Sequence, residues 1–310
     1  MWDDVLEHLT RAAWGRREGA ERLLLALLAE GHVLIEDVPG VGKSSLAARL
    51  GQALGVEMRR VQCTPDLLPS DVTGYTYYEP RSRTFTFRPG PLLTNLVLVD
   101  ELNRTSPRTQ SSLLEAMEER QVTVDGVAHA LPRPFMVLAT QNPVEFEGTF
   151  PLPEAQLDRF LLRVRLGYPP PAAEVAVLRS AGPLQSAPAL PRLVAPQELE
   201  EAVRTAQALP VGEPVAQYAW RLVERSRSHP ALLLGVSPRG AIAWVRAARA
   251  LAFLRHDACV VPDHLRELGA AVLGHRVALR PEQELRGLTG EAIVAELLAA
   301  TPLPGAGRRP

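Results

Sequence analysis

The stretch EDVPGVGKSS, Glu36 to Ser45, constrains this chain more than any other. It follows a short apolar run, His32 to Glu36, that reads as a buried strand, and it leads into Lys43 to Leu54, where apolar residues recur at helical spacing. Strand, glycine-rich turn and helix in that order form a cradle for an anion. Gly40 and Gly42 let backbone amides turn inward, and the helix adds its positive N-terminal end. The stretch fits the G-x-x-x-x-G-K-S/T phosphate loop except at its first position, where Asp37 replaces glycine. A cation in the first turn of a helix, where Lys43 stands, is electrostatically misplaced unless an anion sits in front of it. Lys43 is also the single lysine in a chain with 34 lysine plus arginine residues. A lysine kept against that bias serves as a compact point charge on a flexible stem, which a guanidinium cannot be. The expected nucleotide contacts are therefore Pro39, Gly40, Val41, Gly42, Lys43, Ser44 and Ser45, with Lys43 on the β/γ phosphates of ATP and Ser44 on Mg2+.

Val56 to Val61, Leu96 to Asp100, Phe135 to Thr140 and Phe160 to Leu166 read as four more strands. Helical patterns at Glu18 to Glu30 and Pro107 to Arg120 alternate with them, which predicts a parallel α/β sheet of five strands. Two interruptions, Tyr75 to Phe87 and Gln121 to Ala130, alternate aromatic and β-branched residues around turn residues and read as β-hairpin inserts. In the second, Asp125-Gly126 supplies residues that tolerate positive φ. The aromatics Tyr75, Tyr77, Tyr78, Phe85 and Phe87 are expected to pair across their hairpin, with a grip on a partner as the other reading. The run Tyr168 to Pro171, YPPP, stops regular structure and reads as a hinge. Beyond it lie helical patterns at Ala172 to Arg179, Pro196 to Leu209, Val215 to Arg227, Pro238 to Leu254 and Pro262 to Leu273. At 310 residues two domains are expected. They are an α/β nucleotide-binding domain over 1–168 and a small all-helical domain over 169–300, with a disordered tail at 301–310.

The strand NLVLVDEL places Asp100 and Glu101 where side chains leave a parallel sheet toward its ligand edge. Asp100 is expected to hold Mg2+, directly or through water, and Glu101 to polarise the attacking water as general base. A solvated turn is the alternative for an isolated acidic pair, and the phosphate loop upstream counts against it.

Two long stretches, VLVDELNRTSPRTQSSLLEAMEERQVTVDG and LATQNPVEFEGTFPLPEAQLDRFLL, resemble the MoxR branch of the AAA+ ATPases. The resemblance covers nearly the whole chain and is looser beyond the hinge; Glu-Asp-Val-Pro-Gly also resembles MoxR loops, Asp37 included. It implies an AAA+ P-loop domain followed by a helical lid, and three further site residues. These are Asn142 as a polar sensor, Arg159 as an arginine finger and Arg239 as a second sensor. Asn142 follows the apolar run FMVLAT and also fits a turn before Pro143. Arg239 lies in SPRG, with Ser237 as expected N-cap and Pro238 at the first helical position, so a cation again occupies a positive helix end. A surface arginine is the alternative there. Arg159 would act on the ATP of a neighbouring subunit, and it also fits an ion pair with Asp158 or Glu154. A finger acting across subunits implies a head-to-tail interface, which closes into a ring. The family implies a hexamer and a protein client that commonly carries a von Willebrand factor A domain.

Charge and composition narrow the function. A formal net charge of −1 offers no basic excess for a polyanion, so nucleic acid is not the expected partner. The apolar run Leu23 to Ala29 is far shorter than the roughly 20 residues that span a bilayer, so no membrane insertion is expected. The start, MWDDVLEHLT, lacks the basic and apolar regions of a secretory signal, and Cys63 and Cys259 show no disulfide or zinc spacing, so a cytoplasmic location is expected. The leading reading is a ring ATPase that remodels or activates a protein client. The alternatives are a nucleic-acid-associated motor, a P-loop phosphotransferase acting on a small acceptor, and a nucleotide-gated binding module. The phosphotransferase leaves Arg159 and Arg239 without a role, and Glu101 argues against a module that does not turn over.

Overall fold

A computed structural model describes residues 1–38, 40–142, 148–180 and 192–303. The chain opens with α1 (Trp2–Ala12) and α2 (Arg17–Leu28), followed by β1 (Val33–Glu36), α3 (Lys43–Leu54) and β2 (Met58–Gln62). Next come α4 (Pro69–Thr73), β3 (Gly74–Glu79), β4 (Thr84–Pro89), β5 (Leu96–Asp100) and α5 (Pro107–Glu119). Then follow β6 (Gln121–Val124), β7 (Val127–Ala130), β8 (Met136–Gln141), α6 (Glu154–Leu157) and β9 (Leu162–Val164). The remaining elements are α7 (Pro171–Ser180), α8 (Pro196–Ala208), α9 (Glu213–Arg227), β10 (Leu232–Leu234), α10 (Pro238–Leu254), α11 (Pro262–Leu273), β11 (Ala278–Leu279), α12 (Pro281–Glu284) and α13 (Gly290–Ala300).

Five strands form one sheet in the order β2-β5-β8-β1-β9. The pairs β2–β5, β5–β8 and β8–β1 are all parallel. β5 is buried along its whole length, as is all of β8 but its last residue, which explains their near-continuous apolar sequences. Because the strands run the same way, β1, β5 and β8 end at one edge, and the loops that leave that edge carry Gly40, Glu101 and Asn142.

Both expected hairpins form. β6 and β7 turn at Asp125 and Gly126, whose φ angles of +50° and +79° fit a two-residue turn matching the strand twist. In β3–β4, Tyr78 stands opposite Phe85 with ring centroids 5.5 Å apart, so the expected cross-strand aromatic pair is present. Phe87 instead stacks at 3.8 Å on His129 of β7, joining the two hairpins.

The described residues fall into two compact units, Met1–Leu152 with Val164–Glu200, and Pro153–Arg163 with the residues from Glu201 onward. This division differs from the boundary expected at 168/169. Residues 192–200 group with the first unit, where the amides of Leu193 and Val194 donate to Ala53 O at 2.8 and 3.3 Å, at the end of α3. Residues 153–163 group with the second, where His275 and Arg276 hold the carbonyl oxygen of Phe160 at 2.9 and 2.6 Å. The second unit is helical, as expected, with one addition. A two-stranded antiparallel ribbon joins β10 to β11, pairing Leu232 with Leu279 and Leu234 with Ala278. Of the expected tail, residues 304–310 lie outside the described residues. Among the described residues no helix is long and apolar enough to cross a membrane.

Candidate active site

The phosphate loop leaves β1 and enters α3 through two glycines at φ +84° (Gly40) and +82° (Gly42), a region that L side chains rarely adopt. Gly42 is doubly constrained, because a Cβ there would stand 2.7 Å from the Trp14 ring. Pro39, expected among the nucleotide contacts, lies outside the described residues. Val41 turns its side chain into the core, and its carbonyl accepts from Arg16 Nη2 at 2.7 Å. Asp37, the departure from the usual loop pattern, is a buried fastener. Its Oδ2 accepts from the amides of Leu166 and Gly167, each at 2.7 Å, and its Oδ1 from the amide of Val38 at 3.0 Å.

Lys43 opens α3, and its ammonium donates to the carbonyls of Asp37 (2.9 Å) and Val38 (3.3 Å). Burial lowers its pKa, against the opposing pull of Asp37, Asp100 and Glu101. Ser44 Oγ lies 3.4 Å from Asp100 Oδ2. Asp100, the last residue of β5, is buried, and its other oxygen accepts from Thr140 Oγ1 at 3.3 Å. That same hydroxyl accepts from the Glu101 amide at 2.9 Å, so one threonine of β8 sets the orientation of both acidic residues. Glu101 sits at φ +59°, an uncommon backbone conformation for a side-chain-bearing residue and one that costs of order 1 kcal/mol or more.

Gly40, Gly42, Lys43, Ser44, Ser45, Asp100, Glu101 and Asn142 line one cleft of about 260 Å3 in the first unit. Arg60, Gln62 and Thr140 complete it. Arg60 Nε donates to Asp100 Oδ2 at 2.7 Å, and Gln62 Nε2 donates to Glu101 Oε2 at 2.9 Å. Sequence reasoning missed both residues. The available signal was polarity two residues apart at Arg60 and Gln62, the latter just past the expected strand end at Val61, which places both on one face of β2.

Arg159 and Arg239 belong to the second unit. The expected helix start is present: Ser237 caps α10 by accepting from the Gly240 amide at 3.0 Å, with Pro238 next and Arg239 in the first turn. Arg239 Nε lies 4.0 Å from Asp158 Oδ2, while Arg276 Nε donates to Asp158 Oδ1 at 2.7 Å. The aspartate offered as the ion-pair partner of Arg159 is thus engaged by two other arginines.

A cleft with a glycine–lysine–serine loop facing an Asp-Glu strand end, plus a helical second unit, can be compared with known proteins. Residues 32–162 match the ATPase family associated with various cellular activities (AAA), and residues 224–297 match the AAA lid domain. The chain is 35% identical to Chaperone MoxR1 of Mycobacterium tuberculosis over 308 residues, covering 94% of this chain and 79% of that one. The chain belongs to the MoxR family of AAA+ ATPases. It is also 48% identical to the Bacillus subtilis protein YeaC, covering 97% of this chain and 94% of that one. A crystal structure of a Cytophaga hutchinsonii protein superposes with a TM-score of 0.89 at 34% identity, covering 97% of this chain and 94% of that one. As a MoxR-family AAA+ protein the chain binds nucleotide and hydrolyses ATP.

Proposed function

We propose that the chain is one subunit of a cytoplasmic, six-membered ring that couples ATP hydrolysis to remodelling or activating a protein client. The carrying observation is the convergence of Lys43, Ser44, Asp100, Glu101 and Asn142 on one cleft. Lys43 exchanges its two carbonyl partners for the β/γ phosphates, which restore the anion that a cation at a helix start calls for. Glu101, held by Gln62, takes the proton of the attacking water, and the Asn142 amide orients that water. Ser44 and Asp100 offer the hard oxygen donors that Mg2+ prefers. When bound, Mg2+ offsets the charge that develops on the phosphate oxygens.

Arg159 is read as the finger for a neighbouring subunit's nucleotide and Arg239 as the second sensor. The MoxR relationship supports this, and a finger shared across a head-to-tail interface implies a closed ring. The client class that the family implies carries a von Willebrand factor A domain. Two free cysteines, Cys259 exposed, fit a reducing compartment.

The test separates binding from turnover. Lys43→Ala is expected to lose binding of a fluorescent ATP analogue, whereas Glu101→Gln keeps it and loses about 10²-fold or more in turnover. Turnover in Glu101→Gln equal to that of the native chain removes Glu101 as the base. The same variant, trapped with ATP, is the bait for the client.

A further inference from the structure

We propose that Arg60 is a resident counter-cation of Asp100 that Mg2+ must displace, so that this arginine sets the magnesium concentration at which nucleotide is held. The inference rests on the reading of Asp100 as a magnesium-holding residue.

The geometry begins with the sheet. β2 lies beside β5, and Arg60 and Gln62 alternate onto the face that borders the cleft. Arg60 Nε donates to Oδ2 of Asp100 at 2.7 Å, the oxygen that Ser44 Oγ approaches at 3.4 Å. The other carboxylate oxygen is taken by Thr140. Arg60 Nη2 donates to Gln62 Oε1 at 3.0 Å, so the guanidinium is aimed by its own strand neighbour.

The two partners differ in freedom. The Asp100 side chain is 9% exposed and held by Thr140, whereas that of Arg60 is 54% exposed. A buried carboxylate needs a compensating partner, and Arg60 supplies one without metal. Mg2+ held at Oδ2, directly or through one of its waters, would put a second positive centre beside the guanidinium, and like charges at that distance repel. The carboxylate stays and the arginine leaves toward solvent. Loading is then an exchange of one cation for another.

The test follows binding of a fluorescent ADP analogue as Mg2+ is titrated, so no turnover is needed. Four proteins are compared: the native chain, Arg60→Gln, Asp100→Asn and the double variant. Arg60→Gln is expected to lower the magnesium midpoint about threefold, the scale of a partly exposed ion pair. Asp100→Asn is expected to raise it, and the double variant to match Asp100→Asn. A midpoint in Arg60→Gln that is unchanged or higher, while Asp100→Asn is raised, overturns the proposal alone. An unchanged midpoint in Asp100→Asn overturns the metal reading beneath it. Loss of thermal stability in Arg60→Gln with no movement of the midpoint assigns the arginine a purely structural role and overturns the exchange.

Discussion

Arg276 donates from Nε to Asp158 Oδ1 at 2.7 Å and, with 2% of its side chain exposed, closes its other nitrogens on the carbonyl oxygens of Asp158, Phe160, Leu161 and Val272. Burial pushes its pKa down to about 10, and Asp158 opposes that shift, so it remains charged at neutral pH. The clamp fixes the backbone from which Arg159 projects. Removing Arg276 takes the donor from several backbone carbonyls and the nearest cation from Asp158, and Arg276→Ala is expected to cost about 2 kcal/mol or more in chemical denaturation. A loss under about 1 kcal/mol would mean that the carbonyls find other donors.

Asp37 gives a second stability prediction with a counterintuitive sign. Asp37→Gly restores the usual first residue of the phosphate loop, yet it leaves the amides of Leu166 and Gly167 without their carboxylate. A loss of about 2 kcal/mol is expected in thermal unfolding. An unchanged or raised midpoint refutes the fastener.

The His275 ring is buried, and its Nε2 donates to Phe160 O at 2.9 Å. Burial chiefly, then the positive charge of Arg276, holds its pKa well below the ordinary histidine value. The unfolded chain takes up this proton near pH 6.5, and the native state resists it. Between the native and unfolded values the unfolded state binds more protons, so stability rises with pH through that window and levels off above it. This group is expected to contribute a fall of about 1.4 kcal/mol per pH unit below about 6.5. His275→Asn should flatten the slope of stability against pH between 7.5 and 5; parallel slopes would exclude the group.

The finger reading predicts complementation. Arg159→Ala subunits and Glu101→Gln subunits, each impaired alone, regain ATPase activity when mixed, because a mixed interface can join an intact finger to an intact base. A finger of this kind is worth on the order of 10³ to 10⁵ in rate, so even a minority of repaired interfaces registers. No recovery at any mixing ratio rejects action across subunits.

Much of this architecture was legible where local chemistry decides it. The bounds of α3, α10 and α11 follow from the sequence because a glycine turn starts the first, and prolines stand at the first position of the other two. β2 was displaced, expected at Val56 to Val61 and found at Met58–Gln62. Gly55 takes a left-handed conformation to end α3, and the Val56 amide bonds back to Gly51 O at 3.0 Å, so Val56 belongs to the helix stop. β9 is shorter than Phe160 to Leu166 because Phe160 gives its carbonyl to His275 and Arg276, and Leu166 gives its amide to Asp37. Those partners lie more than 100 residues away in the chain, beyond the reach of any local pattern. The loop and acidic strand end were readable because their chemistry is contiguous, whereas Arg60 and Gln62 acquire meaning only once β2 is laid beside β5.

The solitary lysine has one more consequence, for labelling chemistry. The chain carries a single ε-amine, and it stands at the phosphate loop with its basicity lowered by burial. Acylating reagents that mark many surface lysines in other proteins have one such target here. The degree of modification at Lys43 therefore reads out directly how much of the loop is covered.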